Sequence, residues 1–69
     1  LAYKVGRCLL RYRLQEMDMT QLELAELMDV RVQQINKYVL NKQLMSLQVA
    51  YNIASILDCH IEDLYEWSR

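Results

Sequence analysis

Thr20-Gln21-Leu22-Glu23-Leu24-Ala25-Glu26-Leu27-Met28-Asp29-Val30-Arg31-Val32-Gln33-Gln34-Ile35-Asn36-Lys37-Tyr38 reads as a capped helix, a tight turn and a second short helix. Thr20 suits the N-cap, because its hydroxyl can accept a hydrogen bond from a free amide of the first turn. Leu24, Ala25 and Met28 then share one side, the apolar stripe of an amphipathic helix. The small Ala25 lets another helix backbone approach closely. Asp29 stands where the chain leaves helical geometry, and Asp tolerates a left-handed backbone better than most residues other than Gly and Asn. Val30 fills the turn. The second helix then turns Val32, Ile35, Tyr38 and Val39 inward, so its outer face carries amides and a base but no acid.

Two helices crossing steeply over such a turn form a helix-turn-helix, whose second helix is shaped to enter the DNA major groove. At this point the chain resembles the lambda-repressor/Cro-type helix-turn-helix family. The usual text of that family is Thr-Gln-x-x-Leu-Ala, then Gly-Val-Ser and an Ile-centred recognition helix. Thr20, Gln21, Leu24, Ala25, Met28, Val30 and Ile35 match it, and the match continues through Ser46-Leu47, Ile53-Ala54, Leu57 and Ile61-Glu62-Asp63-Leu64-Tyr65. The resemblance implies an all-α, five-helix fold. It also implies a homodimer that binds double-stranded operator DNA sequence-specifically and regulates transcription as a repressor, without a cofactor.

Composition agrees. The 69 residues leave room for one domain, residues 1–69, near the size at which small domains become marginal. No Pro, one Gly and abundant Leu, Met, Ala, Gln and Glu favour helix. No apolar run is long enough for a membrane span, and no basic-plus-apolar signal segment opens the chain. Cys8 and Cys59 stand far apart and outside any Cys-x-x-Cys pair, so they read as reduced core thiols of a cytoplasmic protein. The net charge of −1 is unusual for a nucleic-acid binder. Its distribution is more informative: residues 1–43 carry seven bases against five acids, and residues 44–69 one base against four. From Val30 to Leu57 there are three bases, Arg31, Lys37 and Lys42, and no acid. Local field rather than total charge attracts phosphate.

The remaining helices are expected at about Tyr3–Met17, Gln21–Met28, Val32–Tyr38, Leu47–Leu57 behind a Ser46 cap, and Ile61–Trp67. Helix one carries Lys4, Arg7 and Arg11 on one face, read as a solvated stripe in preference to a DNA contact. Helix four is apolar around most of its girth and is expected to be the most buried. Where the family places Gly at helix ends, this chain has Asp18, Asp29, Asn41 and Asp58, the residue types best able to replace it in a left-handed backbone. The one glycine, Gly6, falls inside the expected first helix.

Three departures from the family text bear on the core and the site. The family often joins an Arg late in helix one to a Glu after the recognition helix, and Leu14 and Val39 stand at those places, with Arg13 one position away. Replacing both charges with apolar groups avoids leaving an unpaired buried charge, and the pair is expected to touch. Met45 stands where Pro is common. Arg31 stands where Ser usually caps helix three, a poor cap but a good phosphate ligand.

With Ile35 inward, Gln33 and Lys37 lie almost opposite it and Gln34 and Asn36 flank them, at about 100° per residue. Gln and Asn can bridge adenine N6 and N7, and Lys can donate to guanine O6 and N7. Gln33, Gln34, Asn36 and Lys37 are therefore the base-reading candidates. Ordinary solvated residues are the alternative. Gln21, where the family has a phosphate contact, joins Arg31, Asn41 and Lys42 as backbone-contact candidates. Tyr65 and Trp67 close the chain as candidates for a two-fold interface, unless Trp67 folds back on helix one.

Nothing indicates an enzyme. His60 has no second ligand or base spaced to work with it and reads as a helix-start residue, and no glycine-rich phosphate loop or zinc spacing occurs. No small-molecule substrate or membrane partner is implied. The alternatives to a stand-alone repressor are an antitoxin-type or protein-interaction module on the same fold, or the DNA-binding domain of a longer repressor.

Overall fold

Short apolar stripes separated by Asp or Asn stops should give short helices with abrupt ends, and four such helices form. The structure is a computed structural model that describes residues 2–69. Its elements are β1 (Lys4–Cys8), α1 (Leu10–Glu16), α2 (Gln21–Met28), α3 (Val32–Val39), α4 (Leu47–Ile56), a 3-10 turn (Ile61–Leu64) and β2 (Tyr65–Ser68). All four expected stops are left-handed, with φ of 52° at Asp18, 56° at Asp29, 60° at Asn41 and 53° at Asp58. Each helix closes with the same pair of backbone bonds. After α1, for instance, the Met19 amide donates to the Leu14 carbonyl at 2.9 Å and the Asp18 amide to the Gln15 carbonyl at 3.1 Å. Such a closure reverses the chain within a few residues.

The two ends of the chain correct the expected five-helix, all-α architecture. Residues 4–8 are not the start of a helix, and residues 65–68 are not the end of one. They pair as an antiparallel two-stranded sheet, with Lys4 opposite Ser68, Val5 opposite Trp67 and Cys8 opposite Tyr65 across an irregularity. Lys4, Val5, Gly6 and Arg7 are all exposed, so backbone pairing to β2 rather than an apolar face holds this segment. Gly6 lies on β1, where the Glu66 carbonyl oxygen comes within 3.1 Å of the place a Cβ would occupy. A side chain at that position would press on the opposite strand.

The core gathers one or two layers from every helix. Leu10, Leu24, Ile35, Ile53 and Leu64 are completely buried, joined by Leu14, Ala25, Tyr38, Val39, Ala50, Ala54 and Leu57. Leu14 and Val39 thus lie in one core cluster, while Arg13 turns outward, donating from Nε to the Asp63 carbonyl at 2.8 Å and pairing with Glu16 at 3.2 Å. Helix α4 is less enclosed than its composition suggests: Ala50, Ile53 and Ala54 face inward, but Leu47 and Tyr51 are 76% and 63% exposed. Val5, Tyr12 and Met17, which fall within the expected first helix, are exposed. Cys8 is buried and Cys59 half-buried, both as free thiols. Among the described residues, no helix is long and apolar enough to cross a membrane.

The left-handed stops are tolerated rather than ideal, since glycine avoids the Cβ crowding of that conformation. Asp58→Gly, after α4, should raise stability by a few tenths to about 1 kcal/mol. Asp58→Val should lower it by more. The urea midpoint, read at unchanged denaturant slope, measures both.

Candidate nucleic-acid interface

Thr20 fixes where α2 starts. Its Oγ1 accepts from the Glu23 amide at 3.0 Å, and the Glu23 carboxylate accepts from the Thr20 amide at 2.9 Å, a reciprocal box that satisfies two otherwise free donors. Gln21 therefore occupies the first turn of α2. At the other end, the Val30 amide donates to the Ala25 carbonyl at 3.0 Å and sends the chain through Asp29 into α3. Arg31 precedes α3 with an extended backbone and makes no side-chain cap. The first amides of α3 consequently lack a side-chain acceptor from their own cap, and no acid lies in that first turn.

Ile35, Tyr38 and Val39 anchor α3 in the core, which turns Gln33, Asn36 and Lys37 fully outward and leaves Gln34 half-exposed. Two amide pairs brace this face from the sides. Asn36 Nδ2 donates to Gln21 Oε1 at 3.3 Å, and Gln34 Nε2 donates to Gln43 Oε1 at 3.1 Å. The side chains of Gln33 and Lys37, between them, have no hydrogen-bond partner among the described residues. Both line each of two shallow concavities. One is completed by Val30, Arg31 and Gln34, the other by Gln21, Val32, Asn36 and Lys42. No carboxylate lines either.

Seven of the eight expected DNA-contacting residues thus come together around α3. Asn41 does not. Its Oδ1 accepts from the Cys8 amide at 2.8 Å, so the side chain is tied toward the β1–α1 joint and lines a separate cleft. Gln43, outside the expected set, joins the α3 face through Gln34, and its signal in the sequence is its place in the acid-free span beside Lys42. Tyr65 and Trp67 line neither concavity. Tyr65 is buried within the chain, its hydroxyl accepting from the Met45 amide at 3.0 Å, and burial pushes its ionisation above the ordinary tyrosine value. Trp67 is half-exposed and donates from its indole to the Glu62 carbonyl at 3.0 Å, so it folds toward the 3-10 turn and β1 rather than onto α1.

A helix-turn-helix family model matches residues 10–64. The chain belongs to the lambda-repressor/Cro-type helix-turn-helix family. It is also 40% identical over 65 residues to the SPbeta prophage-derived uncharacterized HTH-type transcriptional regulator YopS of Bacillus subtilis (strain 168), a match covering 93% of this chain and 88% of that protein. Family membership assigns DNA-binding transcription regulation as the general role. It also gives Met45 a physical meaning: a proline, common in the family at this place, would have no N–H to donate to Tyr65.

Because the box at Thr20 sets the start of α2 and hence the place of Gln21, Thr20→Ala should destabilise the fold by about 1 kcal/mol. Amide exchange should speed up at Glu23 and at residue 20, with the far half of α2 little changed. Equal acceleration along all of α2 would mean that the box does not act as a local cap.

Proposed function

We propose that the chain is a repressor-type transcriptional regulator that binds double-stranded operator DNA sequence-specifically as a two-fold dimer, with α3 in the major groove. The observation that carries this reading is the pair of acid-free concavities sharing Gln33 and Lys37, flanked by Arg31, Lys42 and the braced amides of Gln21, Gln34 and Asn36. Unpartnered Gln33 and Lys37 are the base readers. The amides of Gln34 and Asn36 must exchange a protein partner for a base, so they contribute to specificity at less gain. Gln21, Arg31 and Lys42 hold phosphates, which positions the helix but carries no sequence information. Asn41 belongs to the edge of this contact surface.

The dimer reading rests on Trp67, which shares an apolar groove with Val5, Leu44, Leu47 and Ile61. A second copy seated there would cover four exposed large side chains, Val5, Leu44, Leu47 and Trp67, and a two-fold axis would set the recognition helices about 34 Å apart, one turn of DNA. Trp67→Ala should shift the mass in solution toward the monomer and weaken operator binding together. Unchanged mass and affinity would place the two-fold surface elsewhere.

Gln33→Ala or Lys37→Ala should cost ~1–3 kcal/mol on the operator and relax preference at one or two base pairs. Lys42→Ala should weaken operator and scrambled duplex by similar factors and lower the salt slope by about 1 per subunit. Gln33→Ala should leave that slope unchanged, because no counterion is involved. Titrations on a site selected from random duplexes, at several salt concentrations, check all three. Equal losses on both duplexes for Gln33→Ala and Lys42→Ala would remove α3 as the reading element.

A further inference from the structure

The cleft that captures Asn41 lies outside the reading face. It is lined by Arg7 of β1, Arg11 and Tyr12 of α1, Cys8 between them, and Val39, Leu40 and Asn41 at the end of α3. The hydrogen bond from the Cys8 amide fixes which way the Asn41 amide points: Oδ1 faces the backbone, so Nδ2 remains a donor. Arg7 and Arg11 are exposed, and among the described residues neither pairs with a carboxylate. The charged and amide side chains lining the cleft are thus donors only, two guanidiniums and one amide, against an apolar wall. Burial raises the ionisation of the Cys8 thiol above its ordinary value, so the thiol contributes no negative charge at neutral pH.

We propose that this cleft holds a backbone phosphate of the DNA, one that flanks the base pairs read by α3. Guanidinium groups match the oxygens of a phosphodiester in charge and fork geometry. The placement comes from the loop. Asn41 lines this cleft and Lys42, the next residue, lines the concavity with Gln33 and Lys37, so one short turn joins the two surfaces. A strand following Lys42 past the end of α3 meets Arg7 and Arg11 next. This assignment rests on the DNA-binding reading above and extends it to a contact from β1 and α1. An acidic segment of a second copy has the same charge, but the continuity with the reading face favours the nucleic acid.

The test compares wild type with the Arg7→Gln/Arg11→Gln double variant on the selected site and on scrambled duplex. Both arginines are exposed and unpaired, so the variant should melt with the wild type. With both guanidiniums on one phosphate, the salt slope should fall by about 1 per subunit and affinity by roughly tenfold at 0.1 M salt, on both duplexes alike. Base preference should stay intact. Ethylation interference should show one phosphate outside the read base pairs whose ethylation weakens the wild type but not the variant. An unchanged slope and interference pattern overturns the proposal. So does a variant whose mass in the absence of DNA differs from wild type, which would make the cleft a protein-docking surface. Inorganic phosphate that saturates the Cys8 and Asn41 amide shifts, without any flanking interference position, would make it a free-anion site and also overturn it. Failure of the wild type to bind any duplex is a different result, because it removes the DNA-binding reading itself.

Discussion

The direction in which α3 leaves α2 is the constraint on which the interface depends, and three residues set it. Asp29 takes the left-handed backbone, its amide and that of Val30 close back onto the Glu26 and Ala25 carbonyls, and Arg31 is already extended. A helix leaving this turn has little freedom of direction. Packing of Ile35 against the buried Leu24 and Ala25 layer then sets its rotation, since Ile35 is completely buried and a 3.6-residue period leaves Gln33 and Lys37 on the far side. The orientation of the outer face of α3 therefore starts from a backbone angle and one apolar anchor. The amide pairs from Gln21 and Gln43 restrict the flanking side chains but do not determine the face.

The core takes the apolar solution to a problem that related sequences often solve with charge. Leu14 and Val39 are nearly fully buried at the positions of the family's ion pair, and no charged or polar residue is buried among the described residues. Arg13, one residue from Leu14, turns instead along the surface to the Asp63 carbonyl and Glu16. The guanidinium then links α1 to the 3-10 turn without entering low dielectric. Burying an ion pair carries a desolvation cost that two well-packed aliphatic groups avoid, so the exchange is at worst neutral for stability when both partners change together. The Met45 amide shows the same economy. It gives the buried Tyr65 hydroxyl a partner that a proline there would have withheld, so an aromatic side chain closes the core with its polar end satisfied.

Local signals made the centre of the chain legible, and non-local pairing hid the ends. The Thr20 cap, the Leu24/Ala25/Met28 stripe and the Asp and Asn stops act within a few residues, and each is found where the residue types require it. The sheet joins residues about sixty positions apart. β1 lacks the alternation of a half-buried strand, because it is exposed on both faces until Cys8. No apolar pattern within residues 3–8 therefore separates the strand from the helix expected over Tyr3–Met17. Gly6 was the available warning, since an isolated glycine inside an apparent helix often marks close approach by another backbone, here that of Glu66. At the other end, Tyr65 and Trp67 have the spacing and β-preference of a strand, but the acidic start at Glu62 and Asp63 suits a helical turn, and that turn ends after four residues. For the site, residue type and helical angle placed seven contact candidates together. They could not show that the Asn41 oxygen is spent on the Cys8 amide, because that bond spans thirty-three positions.

A chain with nine acids and eight bases has no overall attraction for DNA, so any attraction must come from arrangement. At physiological salt, charges farther apart than about 8 Å are largely screened, which makes the sign of the local surface decisive. Around α3 the charged side chains lining the concavities are Arg31, Lys37 and Lys42. The carboxylates nearest in sequence, Glu23, Glu26 and Asp29, line neither concavity, and Glu23 accepts from the Thr20 amide. The later acids begin only at Asp58, beyond α4. On the proposed function, these few bases would meet the phosphates, non-specific binding should be weak, and base contacts should supply a larger share of the binding energy. The unpartnered amide of Gln33 and ammonium of Lys37 are available to supply that share.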